Sequence, residues 1–337
     1  MAKDATYFKV LVELGGVLYD YEQLTDDGDH IRFEVATPGR LFSQVQAQKP
    51  LIRPDGVLTG LEVTPDDAEV DNTVDVGTGT AWINGALVTL AAADEAVAVR
   101  GTAPNIYKID SITLTSGGAV AVVEGTGSTA FSETRGAAGG PPLIPTTSIE
   151  LAQVRMSAEA AAAIAASEIY SVPNQHRELA SYPVYTVYPI GDSDCKGTAF
   201  VEFSEALPLI HTGAVAKEVH ARYTNPNFAT ISECSDFAMP RDSFSQSEDA
   251  TNDGPRAAVK LGRGTGSFGC LHDGTGSAVI MQVKGTQRML KFYPDKYLTG
   301  YWLMEATLAI VDNYPIGANI KATVTLGAKS EPLWIQP

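Results

Sequence analysis

A glycine-rich run, GTGSFG from Gly264 to Gly269, matches the G-x-G-x-x-G spacing of dinucleotide-binding loops. In such loops the backbone approaches a pyrophosphate, and the helix that follows directly holds its charge at the helix N-terminus. The residues that follow here, from Leu271 to Gly276, are typical of another turn. We therefore predict turn glycines at this position and no nucleotide site.

Two acidic segments invite a comparison with metal sites. Residues 249–260 place oxygen-bearing residues and a glycine at positions 1, 3, 5 and 6 of a calcium loop, but position 12 is Lys260 and Pro255 follows the glycine. A calcium loop needs a bidentate glutamate at position 12, so the match fails. For the second segment, Asp26 to Asp29, we predict a solvated hairpin tip rather than a metal site.

Catalytic patterns are weak throughout the sequence. The five histidines never stand at HxH or HxxxH spacing; they are His30, His176, His211, His220 and His272. There is no G-x-S-x-G elbow and no P-loop lysine. The nearest paired carboxylates are Glu202 and Glu205, which a solvated turn explains equally well. We predict no catalytic, cofactor-binding or metal-binding residue and no enzyme activity, although a triad assembled in space stays open.

Aromatic residues concentrate near the C-terminal end of the chain: Phe292, Tyr293, Tyr297, Tyr301 and Trp302. Exposed in a cleft, they could form a sugar-binding platform of the kind found on receptor-binding proteins. The alternative that we favour is that they fill a core and a subunit interface, because aromatic rings contribute large apolar areas to both.

Composition narrows the class of protein. The 337 residues carry 24 basic and 40 acidic side chains, a net charge of −16, and 44% are hydrophobic. A disordered chain is therefore excluded, and so is an ordinary duplex-DNA binder, which needs basic residues to displace counterions. Cys195, Cys234 and Cys270 form no CxxC pair, so neither a zinc ribbon nor a disulfide framework is expected. The first twenty residues lack a secretory leader and no apolar run is long enough to span a bilayer, so we expect a soluble, cytosolic chain.

The patterns predict a mainly β fold, beginning with an N-terminal segment, residues 1–50. Two β-rich runs flank Gly15-Gly16 and predict a hairpin, and residues 31–35 alternate as a half-buried strand does. We expect these strands, or an arm formed by them, to pair with the C-terminal domain.

Residues 51–156 predict a small all-β accessory domain. Short strands are separated there by turn residues, and Asn84-Gly85 between two of them is a strong hairpin signal, since a type I′ turn needs positive φ at both positions. Residues 126–145, rich in glycine and proline, predict an extended loop.

The rest of the chain predicts one helix and a second β domain. Ser157 and the alanine-rich run after it favour a helix that ends before Pro173, so residues 157–180 are predicted as helix and linker between the two domains. Residues 181–337 predict a sandwich or barrel of further strands, among them Ala278 to Val283. The polar stretch from Asp236 to Gly254 predicts a long loop that becomes ordered against a partner.

Two sets of segments resemble proteins of tailed bacteriophages. The first set looks like the small β-domains of phage baseplate and tail-associated proteins; it comprises residues 56–64, 79–85 and 109–112. The second set is similar to the closing strands of major tail (tail tube) proteins of long-tailed phages; it comprises residues 290–295, 301–310 and 314–326. The two resemblances, of which these segments are the most telling parts, extend over about two thirds of the chain, and both are β-strand patterns rather than catalytic signatures.

The resemblance implies a structural virion protein of a siphophage. Such a protein is made in the host bacterial cytoplasm and forms hexameric rings that stack into the tail tube through which DNA is delivered. The implied partners are further copies of itself, tail terminator and tail-tip proteins, a tape-measure protein in the lumen, and DNA that passes without sequence-specific binding; no membrane insertion is expected. The acidic balance would let DNA pass an acidic bore without adsorbing.

The order of the segments departs from that family, in which the tube domain often comes first. The accessory-like residues 51–156 precede the tube-like residues 181–337, so we expect the accessory domain to be inserted after an N-terminal strand pair. Two alternatives stay open. One is a tail-tip, baseplate or fibre component that binds the host surface, and the other is a virion hydrolase that degrades the cell wall.

Overall fold

The computed structural model describes residues 8–97, 100–170, 177–181, 183–192, 194, 196–231, 234–241, 243–251, 254–262, 264–271, 276–313 and 321–336. Strands make up 53% of the structure and helices 4%. The predicted mainly β class is therefore confirmed. The strands form several sheets, and none of these closes into a barrel.

Twenty-four strands and one α-helix are numbered here in chain order. The first nine strands are β1 (Lys9–Asp26), β2 (Arg32–Val35), β3 (Leu51–Pro54), β4 (Gly56–Gly60), β5 (Val63–Pro65), β6 (Thr73–Val76), β7 (Gly79–Ile83), β8 (Ala86–Leu90) and β9 (Ala93–Ala96). The next nine are β10 (Lys108–Thr115), β11 (Val120–Val123), β12 (Ser148–Met156), β13 (Ile169–Tyr170), β14 (Tyr185–Tyr188), β15 (Phe200–Phe203), β16 (Val219–Ile231), β17 (Cys234–Ala238) and β18 (Ser243–Thr251). The last elements are β19 (Gly254–Gly262), β20 (Thr265–Leu271), α1 (Gly276–Val283), β21 (Gln287–Tyr293), β22 (Tyr301–Asn313), β23 (Lys321–Ala328) and β24 (Leu333–Ile335).

Twelve of these strands form one sheet, which we call the large sheet. Its strand order is β14-β15-β2-β1-β21-β22-β23-β20-β17, with β16 paired to β1 and β3 and with β24 paired to β22. N-terminal strands thus lie in register with C-terminal ones: Val10 lies opposite Ile231 on β16 and opposite Phe292 on β21. Strands β1 and β2 are therefore joined to the C-terminal part of the chain by backbone hydrogen bonds.

The hairpin predicted at Gly15-Gly16 is wrong, because β1 runs through both glycines as one strand of 18 residues. The register with β16 shifts between Glu13 and Gly16, where Gly15 has φ +76°. The two glycines therefore accommodate a β-bulge, which bends a strand without reversing it.

The strands between β3 and β14 form three small sheets, which we call the small β region. Their orders are β11-β10-β12-β13, β4-β7-β8 and β5-β6-β9. They share an apolar core that includes Leu61, Val74, Ile112 and Leu151. Because β3 and β14 both belong to the large sheet, the chain leaves that sheet, builds the small β region and returns.

The hairpin predicted at Asn84-Gly85 is confirmed. Ile83 pairs with Ala86 across a two-residue turn. Asn84 and Gly85 have φ of +49° and +74°, as a type I′ turn requires.

The helix predicted within residues 157–180 is wrong, because the described part of that segment contains no α-helix; it is irregular up to a 3-10 turn at Ala166–Glu168, which strand β13 follows. Ala163 bridges to Asp71, Ile164 is buried in the core, and Arg100 donates to the carbonyl of Ala162. These contacts hold the backbone against the small β region in a non-helical conformation and outweigh the helix propensity of alanine, which is the highest of any residue but small in free energy.

The α-helix lies instead at α1, where a strand was predicted. Ile280 and Val283 stand three residues apart and are buried in the core of the large sheet, whereas Met281 is exposed. Gly285, with φ +74°, follows the helix as glycines at helix C-termini do. A short apolar run fits a strand or a helix equally well, and packing decides between them.

The long loop predicted from Asp236 to Gly254 is also wrong. Cys234–Ala238 is strand β17, and β18 pairs with β19 in a hairpin of nine residue pairs. Polar composition alone predicted a loop, but backbone pairing in a hairpin does not require apolar side chains. Among the residues that the structure describes, no helix is long and apolar enough to cross a membrane.

Candidate functional site

A two-stranded hairpin is connected to one end of the large sheet. It is formed by β18 and β19, which constitute a separate two-stranded sheet. The chain enters it after β17, the last strand in the order of the large sheet, and leaves it into β20, the neighbour of β17. At about 3.3 Å per residue, nine pairs give it a length of about 30 Å.

The two ends of the large sheet are edge strands. Strand β14 ends the order on one side, and its flanking Val184 is 70% exposed. At the other end, Asp236 in β17 has φ +54° and the pairing with β20 shifts register between Ser235 and Ala238. A bulge of this kind discourages uncontrolled pairing at an edge, whereas β14 has no such device among its four residues.

An apolar stretch of β1 is uncovered. Val17 is 46% exposed and Leu18 is 54% exposed. Successive residues of a strand point to opposite faces, so neither face of β1 is fully covered there. Leu18 and Leu51, together with Arg222, line a groove of about 490 Å³.

The glycine-rich run predicted as a turn lies mostly in strand β20, so that interpretation is wrong. A Cβ at Gly264 would lie 1.7 Å from the carbonyl oxygen of Arg241, and one at Gly266 would lie 2.4 Å from that of Ala238. These glycines let the segment that contains Ala238 and Arg241 pass close to the strand. They do not form a loop at the end of a strand, which a dinucleotide would need.

The acidic tip at Asp26 to Asp29 joins β1 to β2, as predicted. Asp26 accepts hydrogen bonds from the backbone of Gly28 and His30, and its carboxylate lies 2.6 Å from Nδ1 of His30. Oxygens of Asp26, Asp27 and Asp29 lie within 4.8 Å of one another. A second acidic group, Asp66, Asp67 and Asp75, has the same spacing and was missed from the sequence, where Asp75 lies a strand away.

The remaining candidates are distributed over the fold. The calcium-loop segment belongs to the two paired strands of the β18–β19 hairpin, and Glu202 and Glu205 are both exposed. Of the aromatic group, Phe292 and Trp302 pack on the core of the large sheet, whereas Tyr297 is 73% exposed. His176, His272 and Cys195 lie outside the described residues.

A buried group of ionisable residues lies between the large sheet and the small β region. We call it the junction cluster; it consists of Asp55, Glu178, His211, Lys217 and His220, each at most 7% exposed. Sequence reasoning missed it, because its members come from four separate segments and none stands in a motif.

Asp55 holds one side of the junction cluster. Its carboxylate accepts two contacts from the backbone N–H of Asn84, at 3.0 and 3.1 Å, and its own N–H donates to the carbonyl of Glu218. His220 packs against the same turn, since a Cβ at Gly85 would lie 3.1 Å from its ring. The type I′ turn of the small β region therefore rests directly on the start of β16.

Glu178 holds the other side. Its Oε2 accepts the backbone N–H of Glu150 at 2.5 Å, while its Oε1 lies 3.9 Å from Nε2 of His211. Nζ of Lys217 donates to the carbonyl of Leu179 at 2.8 Å. Glu150 itself is paired with Arg135 at 2.6 Å, which balances its charge.

Burial shifts the protonation of this cluster. Loss of hydration raises the pKa of Glu178 to about 8 and that of Asp55 to about 7, and it lowers the pKa of Lys217. Burial also lowers the pKa of His211 and of His220. Near neutral pH the cluster therefore carries less charge than the same residues would carry in water.

No protein-family model matches this sequence, and no curated protein sequence matches it either.

Proposed function

We propose that this chain is a structural virion protein that assembles into the stacked hexameric rings of a phage tail tube. The observation that carries the proposal is the β18–β19 hairpin, whose described strands pair only with each other while both of its ends join the edge of the large sheet. A two-stranded arm of about 30 Å supports a role in which it is covered by a neighbouring subunit.

The open large sheet supports the same function. A barrel shared by several subunits leaves each subunit with edges that pair only after assembly, and the large sheet here is open, with β14 and β17 at the ends of its strand order. The uncovered Val17 and Leu18 supply apolar surface of the kind that subunit contacts bury.

The charge of the chain fits a conduit for DNA. The protein has 24 basic and 40 acidic side chains, so it lacks the excess of positive charge that binding to DNA phosphates requires. An acidic lumen lets DNA pass without adsorption, and the implied partners remain those of a tail tube: further copies, terminator and tail-tip proteins, and a tape-measure protein.

Electron microscopy of the purified protein at low and at high concentration tests the proposal. We expect rings with six-fold symmetry that stack into tubes about 100 Å wide. Monomers or trimers that never stack would contradict the tube and would favour a host-binding component of the tail tip.

A shortened hairpin sharpens this test. We expect that replacing residues 245–260 by an Asn-Gly turn leaves thermal unfolding of the subunit nearly unchanged, because the hairpin is a separate sheet, but abolishes stacking. The matched control replaces Asn84-Gly85 by Asp-Gly, which keeps its type I′ turn and should stack normally. Normal tubes from the shortened variant would show that the arm is not an assembly element.

A further inference from the structure

We propose that the junction cluster is a pH-operated clasp, which holds residues 177–180 against β4 of the small β region while Glu178 is protonated and releases them when that proton is lost. The inference does not depend on the proposed function, because it concerns the contact between two parts of one chain.

The backbone around Glu178 is what the clasp holds. The N–H of Val57 donates to the carbonyl of Glu178 at 2.8 Å, and the N–H of Ala180 donates to the carbonyl of Val57 at 3.1 Å. A Cβ at Gly56 would lie 2.4 Å from the nitrogen of Ala180, so the two segments touch with no room between them. Separation of these segments would expose both hydrogen bonds.

The geometry around His211 favours a proton on Glu178. Nδ1 of His211 faces the carbonyl of Pro145 at 3.1 Å, and a carbonyl only accepts, so this nitrogen carries the hydrogen. The neutral ring therefore presents a lone pair at Nε2, which lies 3.9 Å from Oε1 of Glu178. Oε1 is buried and has no hydrogen-bond partner among the described residues. The separation is longer than a hydrogen bond, but a hydrogen on Oε1 attracts that lone pair, whereas the negative charge of a carboxylate repels it.

Charged groups from every neighbouring element act on Glu178. They are Glu150 on β12 with its partner Arg135, Asp55 before β4, His211, Lys217 and Glu218 before β16, and His220 on β16. Glu150 and Arg135 neutralise each other. Lys217 is then the cation that faces two carboxyl groups, Glu178 and Asp55, and its own pKa is lowered by burial. Ionisation of both carboxyl groups leaves excess negative charge in a buried site.

The direction of the pH effect follows from these shifts. Folding raises the pKa of Glu178 from 4.5 to about 8, so the folded clasp binds a proton that the open chain gives up. The contribution of Glu178 to the clasp is therefore complete below about pH 4.5, falls as the pH rises, and is lost once the pH passes about 8. Asp55, with a pKa raised to about 7, acts in the same direction.

Hydrogen exchange of the full chain between pH 6 and 9 tests the clasp, after correction for the intrinsic effect of pH on exchange. We expect protection of the amides of Val57 and Ala180 to fall by about tenfold between pH 7 and pH 8 in the wild type. Glu178→Gln keeps the shape of the side chain but cannot ionise, so its protection should change less than about twofold. Equal losses in both proteins, or no loss in the wild type, would overturn the proposal.

Asp110→Asn is the matched control. Burial raises the pKa of Asp110 to about 6, but this carboxyl group lies on β10 beside Lys108 and Gly125, outside the junction cluster. The pH at which Val57 loses protection should be the same in this variant as in the wild type.

A fluorescence readout decides the question if Glu178→Gln does not fold. Trp82 of the small β region lies 4.4 Å from the ring of Tyr21 on β1, so its emission reports on the junction. In the variant Trp302→Phe/Trp334→Phe, Trp82 is the remaining tryptophan. A reversible shift of its emission near pH 8 is expected, and a flat profile from pH 6 to 9 would refute the clasp.

Discussion

Arg135 and Arg155 each form an ion pair with a glutamate, but the two glutamates differ greatly in their exposure to solvent. Glu150, the partner of Arg135, has a side chain that is 3% exposed, whereas Glu133, the partner of Arg155, is 75% exposed. A buried carboxylate that loses its partner retains the full cost of desolvation, while an exposed one is solvated by water. The two pairs therefore form a natural comparison.

We expect Arg135→Met to lower the free energy of unfolding by about 3 kcal/mol, because it leaves the buried carboxylate of Glu150 without a compensating positive charge. Arg155→Met should lower it by only about 1 kcal/mol, which includes the loss of its contact with the ring of Tyr170. Urea unfolding of both variants at pH 7 measures the difference. Equal losses would mean that Glu150 reaches water once Arg135 is gone.

The irregular segment after β12 and the helix α1 show why local patterns mislead at the scale of elements. Ser157 and the alanines that follow favour a helix by propensity, yet the segment is not helical and its Ile164 is buried in the small β region. The opposite happens at α1, whose apolar residues favour a strand. In both places the propensity difference is below about 1 kcal/mol per residue, and burial of one or two side chains outweighs it.

Proline substitutions distinguish the two backbones. Ala161→Pro, in the irregular segment, should lower the free energy of unfolding by less than about 1 kcal/mol, whereas in a helix interior it would cost about 3 kcal/mol. Met281→Pro, at an exposed position of α1, should cost about 3 kcal/mol or more. Thermal or urea unfolding measures both. A large loss at Ala161 with none at Met281 would reverse the assignment of the two segments.

At the scale of the whole molecule, the exposed apolar part of β1 is a surface that other subunits would cover if the protein assembles into rings. Leu18 is 54% exposed and Leu87, on the small β region, is 59% exposed, so the two residues differ in location rather than in burial. If rings form through the large sheet, only the first of them belongs to a subunit contact.

We therefore expect Leu18→Asp to weaken self-association by at least about tenfold, because it places a charge in a buried contact. Leu87→Asp should leave association unchanged, and neither variant should change unfolding of the isolated subunit by more than about 0.5 kcal/mol. Sedimentation velocity over a range of concentrations measures the association. If Leu87→Asp dissociates the assembly and Leu18→Asp does not, the contact lies on the small β region instead.

The sequence by itself determined the mainly β class, the Asn84-Gly85 turn and the acidic tip at Asp26 to Asp29, because composition, turn chemistry and alternation act over a few residues. The tertiary structure decided the rest. Whether Gly15 starts a hairpin or a bulge depends on β16, which lies two hundred residues away in the chain. The junction cluster exists only because the fold brings Asp55, Glu178 and Lys217 together, and their raised or lowered pKa values come from burial that no local pattern encodes.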